Sequence, residues 1–380
     1  MNYKTQLSYI ENSTVIKNIT ESSLKYLVYN ILNETKFKFF VYICNSNFDL
    51  ELAKKEIEFY SKDIEILTFP EWNTMPYDVN SPDLDLQTKR MDCIYKLIKQ
   101  NNDRKTLLII SRKALVQKII NRKDFKFINF YINQKLTIDE TIKILEENCY
   151  SKTETVYNIG DYCINNSTVD FITFNNQAYR ISIEKDVIKE IKTLDTNSQI
   201  ASKNHKEILL LPIKEVFFNQ NNIQNFRQNY KKLFGIPIEK DTLYNIISNN
   251  QIYDGFENWL PLFYENELES IFDYIPKTSV LIYENNTKNK INDFYELIQN
   301  YYNLRIEQTK QKEVENIYNP IPIEMMYLEN FNENISKYIN IIFDIENSIK
   351  NERQIELDFK NLPEFYKDSN EVFKSLKEFL

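Results

Sequence analysis

Glycine is nearly absent from this chain, with 3 glycines in 380 residues. Loops that hold phosphate groups need glycine, because only a residue without a side chain lets several backbone N–H groups approach the ligand closely. The composition therefore argues against an intact nucleotide-binding loop. Asn, Ile, Lys and Tyr are abundant instead, which we interpret as the drift of an AT-rich genome rather than as a structural device.

The length and charge of the chain limit its fold and its partners. A chain of 380 residues is long enough for two or three domains with sizeable cores. The formal net charge is −8, whereas dedicated nucleic-acid binders usually carry a basic balance or stripe. The basic stretch 112–127 is interpreted as a solvated helix face and loop, so any DNA contact is expected to be weak or indirect.

The residues that usually hold metals or build catalytic triads are scarce. His205 is the single histidine, which excludes a multi-histidine metal site and argues against a histidine-based triad. The cysteines follow no metal-ligand spacing and are expected to be buried free thiols in a reducing compartment; they are Cys44, Cys93, Cys149 and Cys163. We therefore expect no metal and no cofactor. No signal peptide and no run of about 18 apolar residues is found, which predicts a cytoplasmic protein without membrane contact.

Strand and helix patterns alternate up to about residue 123. Continuous apolar runs predict buried strands at 37–44, 64–67 and 106–111. Helices are predicted at 22–33, at 48–60 with Leu52, Ile57 and Tyr60 facing inward, and from 112 to 120. This alternation predicts an α/β fold with a parallel, doubly wound sheet.

The stretch 69–98 combines a rigid loop with a helix. Three prolines fix the loop, and Met91, Ile94, Tyr95 and Ile98 recur at the spacing of one buried helical face. Two acidic residues, at 83 and 85, are expected to accept hydrogen bonds from the first helical N–H groups; a catalytic carboxylate pair is the alternative. Such a connection is typical of the top of a nucleotide-binding sheet.

A second pattern begins after residue 123. A helix is predicted at 137–148, with a capping box formed by Thr137 and Glu140. Shorter strands, separated by polar turns such as Asn165-Asn166, are predicted within 155–174, at 178–183 and at 187–194. These features predict an α+β insert with a largely antiparallel sheet, which ends near residue 205 before the apolar run 208–217.

The remaining chain returns to helices and isolated strands. Helices are predicted at 223–234 and 290–302, and strands at 279–283 and 324–327. An amphipathic helix is predicted at 372–380, at the end of a C-terminal segment that starts at 351.

Six stretches, in the right order, carry a resemblance to a known family. They are WNTMPYDVNSP (72–82), GDYCINNSTVDFI (160–172), AYRISIEKDVIKEIKTLDTNSQ (178–199), FRQNYKKLFG (226–235), YDGFENWLPLFY (253–264) and IFDYIPKTSVLIYE (271–284). Together they resemble the N-terminal, UvrB-like part of the bacterial transcription-repair coupling factors. The resemblance covers roughly residues 15–380.

The resemblance implies a split architecture. Residues 1–123 and 206–350 would form two halves of a RecA-like domain, residues 124–205 an α+β insert that docks on UvrA, and residues 351–380 a linker and helix. Residues 18–25 stand where the family's ancestral phosphate loop belongs, yet they contain no glycine and Lys25 is out of register. Glu284 is the remaining acid of the metal-binding pair. The resemblance therefore implies a degenerate P-loop without nucleotide, and the short passage from Tyr77 to Pro82 leaves no room for a DNA-gripping hairpin.

The resemblance also selects candidate partner-binding residues. The family's three UvrA contacts, two arginines and an aromatic residue, fall on Asn165, Arg180 and Glu184. Only Arg180 keeps the family's residue type, and a guanidinium group binds carboxylates bidentately. Glu184 places a charge where the family has an apolar anchor, which costs on the order of 2 kcal/mol at an interface centre. UvrA binding is therefore expected to be weakened, rewired or lost.

Three functions remain open at this point. The first is a non-catalytic interaction module of transcription-coupled nucleotide excision repair that presents the insert to UvrA. The second is a UvrB-like, ATP-dependent helicase subunit with an unrecognised site. The third is a split or decayed coupling factor that needs a separate translocase chain, because the sequence stops before the family's polymerase-binding and translocase domains.

Overall fold

The computed structural model describes residues 3–100, 104–239, 241–310, 318–350 and 353–359. Its strands are β1 (Thr14–Lys17), β2 (Phe39–Cys44), β3 (Glu65–Phe69), β4 (Thr106–Ser111), β5 (Ile128–Tyr131), β6 (Ser151–Lys152), β7 (Asp161–Asn165), β8 (Thr168–Ile172), β9 (Ala178–Glu184), β10 (Val187–Leu194), β11 (Ala201–Asn204), β12 (Glu207–Leu210), β13 (Val280–Glu284), β14 (Ile339–Asp344) and β15 (Gln354–Glu356). Its α-helices are α1 (Tyr3–Ser8), α2 (Leu24–Glu34), α3 (Asn47–Tyr60), α4 (Leu84–Lys99), α5 (Arg112–Val116), α6 (Ile138–Glu147), α7 (Gln220–Phe234), α8 (Thr242–Ser248), α9 (Ile271–Tyr274), α10 (Thr287–Thr309), α11 (Ile323–Met326) and α12 (Phe331–Ile335). Two 3-10 helices span Glu21–Ser23 and Phe256–Phe263.

A seven-stranded parallel sheet forms the centre of the fold. Its strand order is β15-β1-β14-β13-β2-β4-β3, and every pair within it is parallel. The predicted α/β class is confirmed, as are the strands predicted around β2, β3, β4 and β13. All six residues of β2 and of β4 are buried, because a parallel sheet is covered on both faces.

Alternate side chains of β2 divide between two hydrophobic clusters. One cluster takes Phe39, Val41 and Ile43, and the other takes Phe40, Tyr42 and Cys44. The first cluster continues into the insert and includes Phe130, Phe171 and Ile181. The insert therefore shares a continuous apolar core with one face of the central sheet. All four cysteines are buried free thiols, as expected.

Several local predictions are wrong. The predicted strand at 324–327 lies largely in α11, which begins directly after Pro322 because proline favours the first turn of a helix and cannot donate to a strand. The sheet instead receives β14, which was not predicted, and the short strands β1 and β15 at one side of the sheet were missed as well. Helix α5 ends at Val116, since Lys118 then donates a backbone hydrogen bond to the Met326 carbonyl and Ile119 exchanges backbone hydrogen bonds with Glu269. The helix predicted at 372–380 lies outside the described residues.

The buried helix faces also differ from the prediction. In α3, Leu50, Ala53 and Ile57 are buried, whereas Leu52 and Tyr60 are exposed, because the small Ala53 sets which face packs against the sheet. In α4, Met91 and Ile94 are buried as predicted, but the polar residues Gln87 and Arg90 are fully buried as well.

The two acidic residues at the start of α4 do not act as predicted. Asp83 occupies the N-cap position, but its side chain accepts no hydrogen bond from the helix. Asp85 forms an ion pair with Lys89, 3.0 Å away, on the next turn. They are surface residues of one helix turn.

The insert contains a six-stranded sheet with the order β11-β10-β9-β8-β7-β6. Its pairs are antiparallel except for β6 with β7, so the predicted α+β character is confirmed. The capping box of α6 is also present, with both hydrogen bonds between Thr137 and Glu140. Strand β12, which follows the predicted boundary at 205/206, pairs antiparallel with β5 of the insert. The domain limits themselves stay predictions.

Asparagine occupies many of the left-handed turns that glycine usually takes. All three glycines have positive φ. Eleven other residues in the described ranges also have positive φ, and six of them are asparagines, because a short amide side chain tolerates this conformation best. Gly255 is the position where glycine is required, since a Cβ there would lie 2.5 Å from the backbone oxygen of Val79.

Candidate partner-binding face of the insert sheet

The two faces of the insert sheet have different surroundings. Helix α6 lies on one face, where Tyr162 donates a hydrogen bond to Glu146 of the helix at 2.7 Å. Ile181 and Ile183 of β9 point to this side and are buried in the large core. Because side chains alternate along a strand, Arg180, Ser182 and Glu184 of β9 lie on the other side. We call this side the open face.

A row of side chains crosses the open face from strand to strand. The pairing register places Cys163 opposite Asp170, Asp170 opposite Arg180, Arg180 opposite Lys192, and Lys192 opposite Asn204. Neighbouring strands lie about 4.8 Å apart, so each residue in this row is the cross-strand neighbour of the next. At one end of the face a small apolar cluster packs beside the row; it consists of Val156, Cys163, Ile172, Ala178 and Leu194.

Arg180 and Asp170 form a bidentate ion pair within this row. The Nε and Nη2 atoms of Arg180 each donate to one Asp170 oxygen, both at 2.7 Å. The Asp170 side chain is 1% exposed and that of Arg180 is 25% exposed. Hydrogen bonding to this carboxylate raises the pKa of Arg180. The carboxylate therefore fixes one edge of the guanidinium, while Nη1 has no hydrogen-bond partner among the described residues and keeps two free donors.

Asn165 lies on the same face, at the end of β7. It is exposed, and its side-chain amide donates to the Cys163 sulfur at 3.8 Å. Asn165 pairs with Thr168 across a two-residue turn in which Asn166 has a φ of 51°, so the predicted tight turn is confirmed. Asn165 and Arg180 stand on strands separated by β8, which brings them to the same part of the face.

Glu184 lies on the same strand as Arg180, at its end. It is the exposed last residue of β9 and stands four residues beyond Arg180, a separation of about 13 Å along a strand. The hairpin that follows has positive φ at Lys185 and Asp186, which is typical of a type I′ turn. Because Asn165 stands opposite Thr168 and Thr168 stands opposite Ser182, Asn165 lies level with the midpoint between Arg180 and Glu184 on the open face. Their role in binding stays a prediction.

Two residues of the open face were not predicted from the sequence as part of the candidate site. Asp170 stands between Val169 and Phe171 in a strand that is otherwise buried, and a lone acid in such a strand signals a buried cationic partner. Lys192 carries no comparable signal, because only the register of β9 and β10 shows that it lies opposite Arg180.

The residues that the resemblance assigns to a former nucleotide site lie at the carboxyl edge of the parallel sheet. Glu284 accepts a hydrogen bond from Asn45 at 2.9 Å, and Asn45 accepts from Arg112 and Lys290 at 2.8 Å and 3.1 Å. Burial raises the pKa of Glu284. Lys25 lies on α2, after a turn that follows β1. The Asn45 amide thus links Glu284 to the guanidinium group of Arg112 and the ammonium group of Lys290.

The remaining chemical candidates have structural partners. His205 lies in a loop, with Nε2 2.6 Å from the Thr193 hydroxyl and the ring edge-on to Tyr179. Within the described ranges, no group of three or more His, Cys, Asp or Glu residues could hold a metal ion. No helix in the same ranges is both long and apolar enough to span a membrane.

Comparisons with known proteins show what the insert and the chain are similar to. Residues 128–216 match the family model described as the UvrB interaction domain. The chain is 31% identical over 314 residues to the transcription-repair-coupling factor of Rickettsia typhi, which is 81% of this chain and 28% of that protein. It is 28% identical over 323 residues to the factor of Rickettsia conorii, covering 84% of this chain and 28% of the relative. It is 25% identical over 322 residues to the factor of Haemophilus influenzae, covering 83% of this chain and 27% of the relative.

The chain thus spans just over a quarter of the length of these curated relatives. The open face and its row of paired side chains lie inside the matched residues 128–216. The chain therefore carries a UvrB interaction domain and is related, over about four fifths of its length, to the transcription-repair-coupling factors.

Proposed function

We propose that this protein is a non-catalytic interaction module of transcription-coupled nucleotide excision repair, which acts in the cytoplasm by docking on UvrA through the open face of its insert. The match of residues 128–216 to the UvrB interaction domain supports this proposal, as do the relatives' names. The observation that carries it is the partly exposed, carboxylate-fixed guanidinium of Arg180 on this face.

Arg180 has the chemistry of an interface anchor. It is the single arginine between residues 124 and 216. Because Asp170 already fixes its Nε edge, the side chain loses less conformational freedom on binding than a mobile surface arginine would. Its free Nη1 donors can reach a partner carboxylate or carbonyl, and arginines of this kind are frequent binding hot spots.

Arg180→Ala tests the proposal directly. We expect the affinity for purified UvrA, measured by isothermal titration calorimetry, to fall at least about tenfold, which is the loss typical of a hot spot. Arg180→Lys should give an intermediate loss, because lysine keeps the charge without the fork. Lys143→Ala is the control, since this lysine lies on α6, across the sheet, and is 73% exposed. Unchanged affinity in Arg180→Ala, or no binding by the native protein, would refute the proposal.

Asn165 and Glu184 are proposed as the weak part of the same surface. The aromatic residue that the family resemblance implies at position 184 would bury apolar area that Glu184 cannot. Glu184→Phe is therefore expected to strengthen UvrA binding several-fold in the same titration. A weaker or unchanged affinity would show that Glu184 contacts a co-varied, polar position on its partner.

The split domain is proposed to be a scaffold with a degenerate P-loop, bounded at residues 1–123 and 206–350. Residues 18–25 contain no glycine, and the polar groups around Glu284 bond to one another, which favours a site that takes no nucleotide. Titration with ATP and Mg²⁺ should give no binding heat. Saturable ATP binding would favour the UvrB-like ATPase instead.

A further inference from the structure

Lys192 lies directly opposite Arg180 on the open face. The two residues are register partners on β9 and β10, so their Cα atoms are about 5 Å apart. The Lys192 side chain is 29% exposed, and its ammonium group is paired with Glu190 at 2.7 Å. Two cations thus stand side by side on a face where the sequence alone marks only one.

Like charges in directly opposed strand positions repel each other. Each cation has its own carboxylate, but the two carboxylates differ in their surroundings. Asp170 is buried and grips Arg180 with both oxygens. Glu190 is 52% exposed and makes a single contact with Lys192. An exposed lysine–glutamate pair contributes little to stability, so Lys192 can exchange Glu190 for another carboxylate while Arg180 stays fixed.

We infer that Arg180 and Lys192 form a two-cation clamp that receives an acidic segment of UvrA. The inference rests on the proposed function and adds a contact residue together with the charge of the partner segment. Lys192 would supply the second positive charge that Asn165 no longer provides. The free Nη1 donors of Arg180 and the ammonium group of Lys192 would bind neighbouring carboxylates, since both are charge-assisted donors.

A carboxylate-bearing segment fits this surface better than a nucleic acid does. Nucleic-acid sites usually spread basic residues along a stripe, whereas these two cations are bounded by Glu190 and, toward the end of β9, by Glu184. The chain as a whole has a net charge of −8. An extended phosphate backbone would therefore meet negative charge on either side of the clamp.

Three variants test the clamp in titrations with purified UvrA. We expect Lys192→Gln to weaken binding about three- to tenfold, and Lys192→Glu to weaken it further. Glu190→Gln should strengthen binding a few-fold, because it releases Lys192 from its internal partner. Lys192→Gln should reduce UvrA affinity less in the Arg180→Ala variant than in the native protein, since the effects of two residues that share a ligand are not additive.

Lys143→Gln is the matched control, because this lysine also pairs with a glutamate but lies on α6 at the opposite side of the sheet. Native-like affinity in Lys192→Gln, beside a loss in Arg180→Ala, would overturn the clamp and leave the proposed function intact. Absence of binding by the native protein would instead overturn the proposed function. Lys192-dependent binding of a single-stranded oligonucleotide, with UvrA affinity unchanged, would also overturn the clamp.

Discussion

The buried ion pair between Arg90 and Glu215 gives the sharpest stability test in this protein. Both side chains are fully buried. The Arg90 Nε and Nη2 atoms lie 2.5 Å and 3.2 Å from the two Glu215 oxygens, and Nη1 donates to the Pro70 carbonyl at 3.0 Å. Glu215 also accepts from the Trp72 indole at 2.9 Å. The pair thus joins α4, the loop at Trp72 and the segment that leaves the insert.

The expected changes in the free energy of unfolding depend on which buried charge loses its partner. Arg90→Met leaves the Glu215 carboxylate buried without a cation, and Glu215→Gln leaves the guanidinium buried without an anion. Each single change should lower the free energy of unfolding by about 3–5 kcal/mol. In the double variant no charge is buried, the amide introduced at position 215 can still accept from Trp72, and the orphaned Pro70 carbonyl costs about 1–3 kcal/mol.

Urea unfolding followed by far-UV circular dichroism measures these differences, because Trp72 touches the pair and its fluorescence would change for local reasons. The double variant should be more stable than either single variant. Simple addition would instead predict a loss of about 6–10 kcal/mol. A double variant as unstable as that sum, or single variants that lose less than about 1 kcal/mol, would show that the buried charges are compensated by other groups.

Four further substitutions have defined outcomes. Gly255→Ala should cost about 2–5 kcal/mol in urea unfolding, from left-handed strain and a clash with a backbone oxygen 2.5 Å away. Gly160→Ala should cost less, because the atom in its way is the end of a flexible side chain. Asp170→Asn should lower stability by about 2 kcal/mol and also weaken UvrA binding, because Arg180 loses its fixed edge. Burial raises the pKa of Glu284 above 4.5, so the folded protein keeps the Glu284 carboxyl protonated to a higher pH than the unfolded chain does. The free energy of unfolding should therefore fall as the pH rises from 4.5 through the folded pKa, and Glu284→Gln should remove this pH dependence.

The central sheet could be predicted where the sequence is locally unambiguous. Strands β2 and β4 are continuous apolar runs, and such runs identify strands covered on both faces. Strand β1 has four residues and β15 has three, which is too short for a periodic signal. Arg90 lies on the buried face of α4, and a pattern of apolar spacing assigns an arginine to solvent. Only the position of Glu215, 125 residues away, explains its burial.

The sequence could predict the position of Arg180 in the candidate site, but not the residues that surround it on the open face. The family resemblance selects Arg180 because the residue type is kept in its motif. Asp170 and Lys192 become its neighbours only through the register of three strands, and a shift of one residue would turn Arg180 into the core. Register depends on pairing between distant segments, which a single sequence does not display.

Arg90 and Glu215 also determine how the molecule carries mechanical load. A bound partner that pulls on the insert transmits its force along β12 to Glu215, and from there through the ion pair to α4. Breaking the ion pair would leave two unpaired charges in an apolar medium, so the energy barrier to separating the junction rises steeply over a short extension. The hairpins of the insert, which end in exposed turns, should therefore stretch first. The junction with the central sheet is then a rigid connection, so a force on the open face moves the insert and the central sheet together.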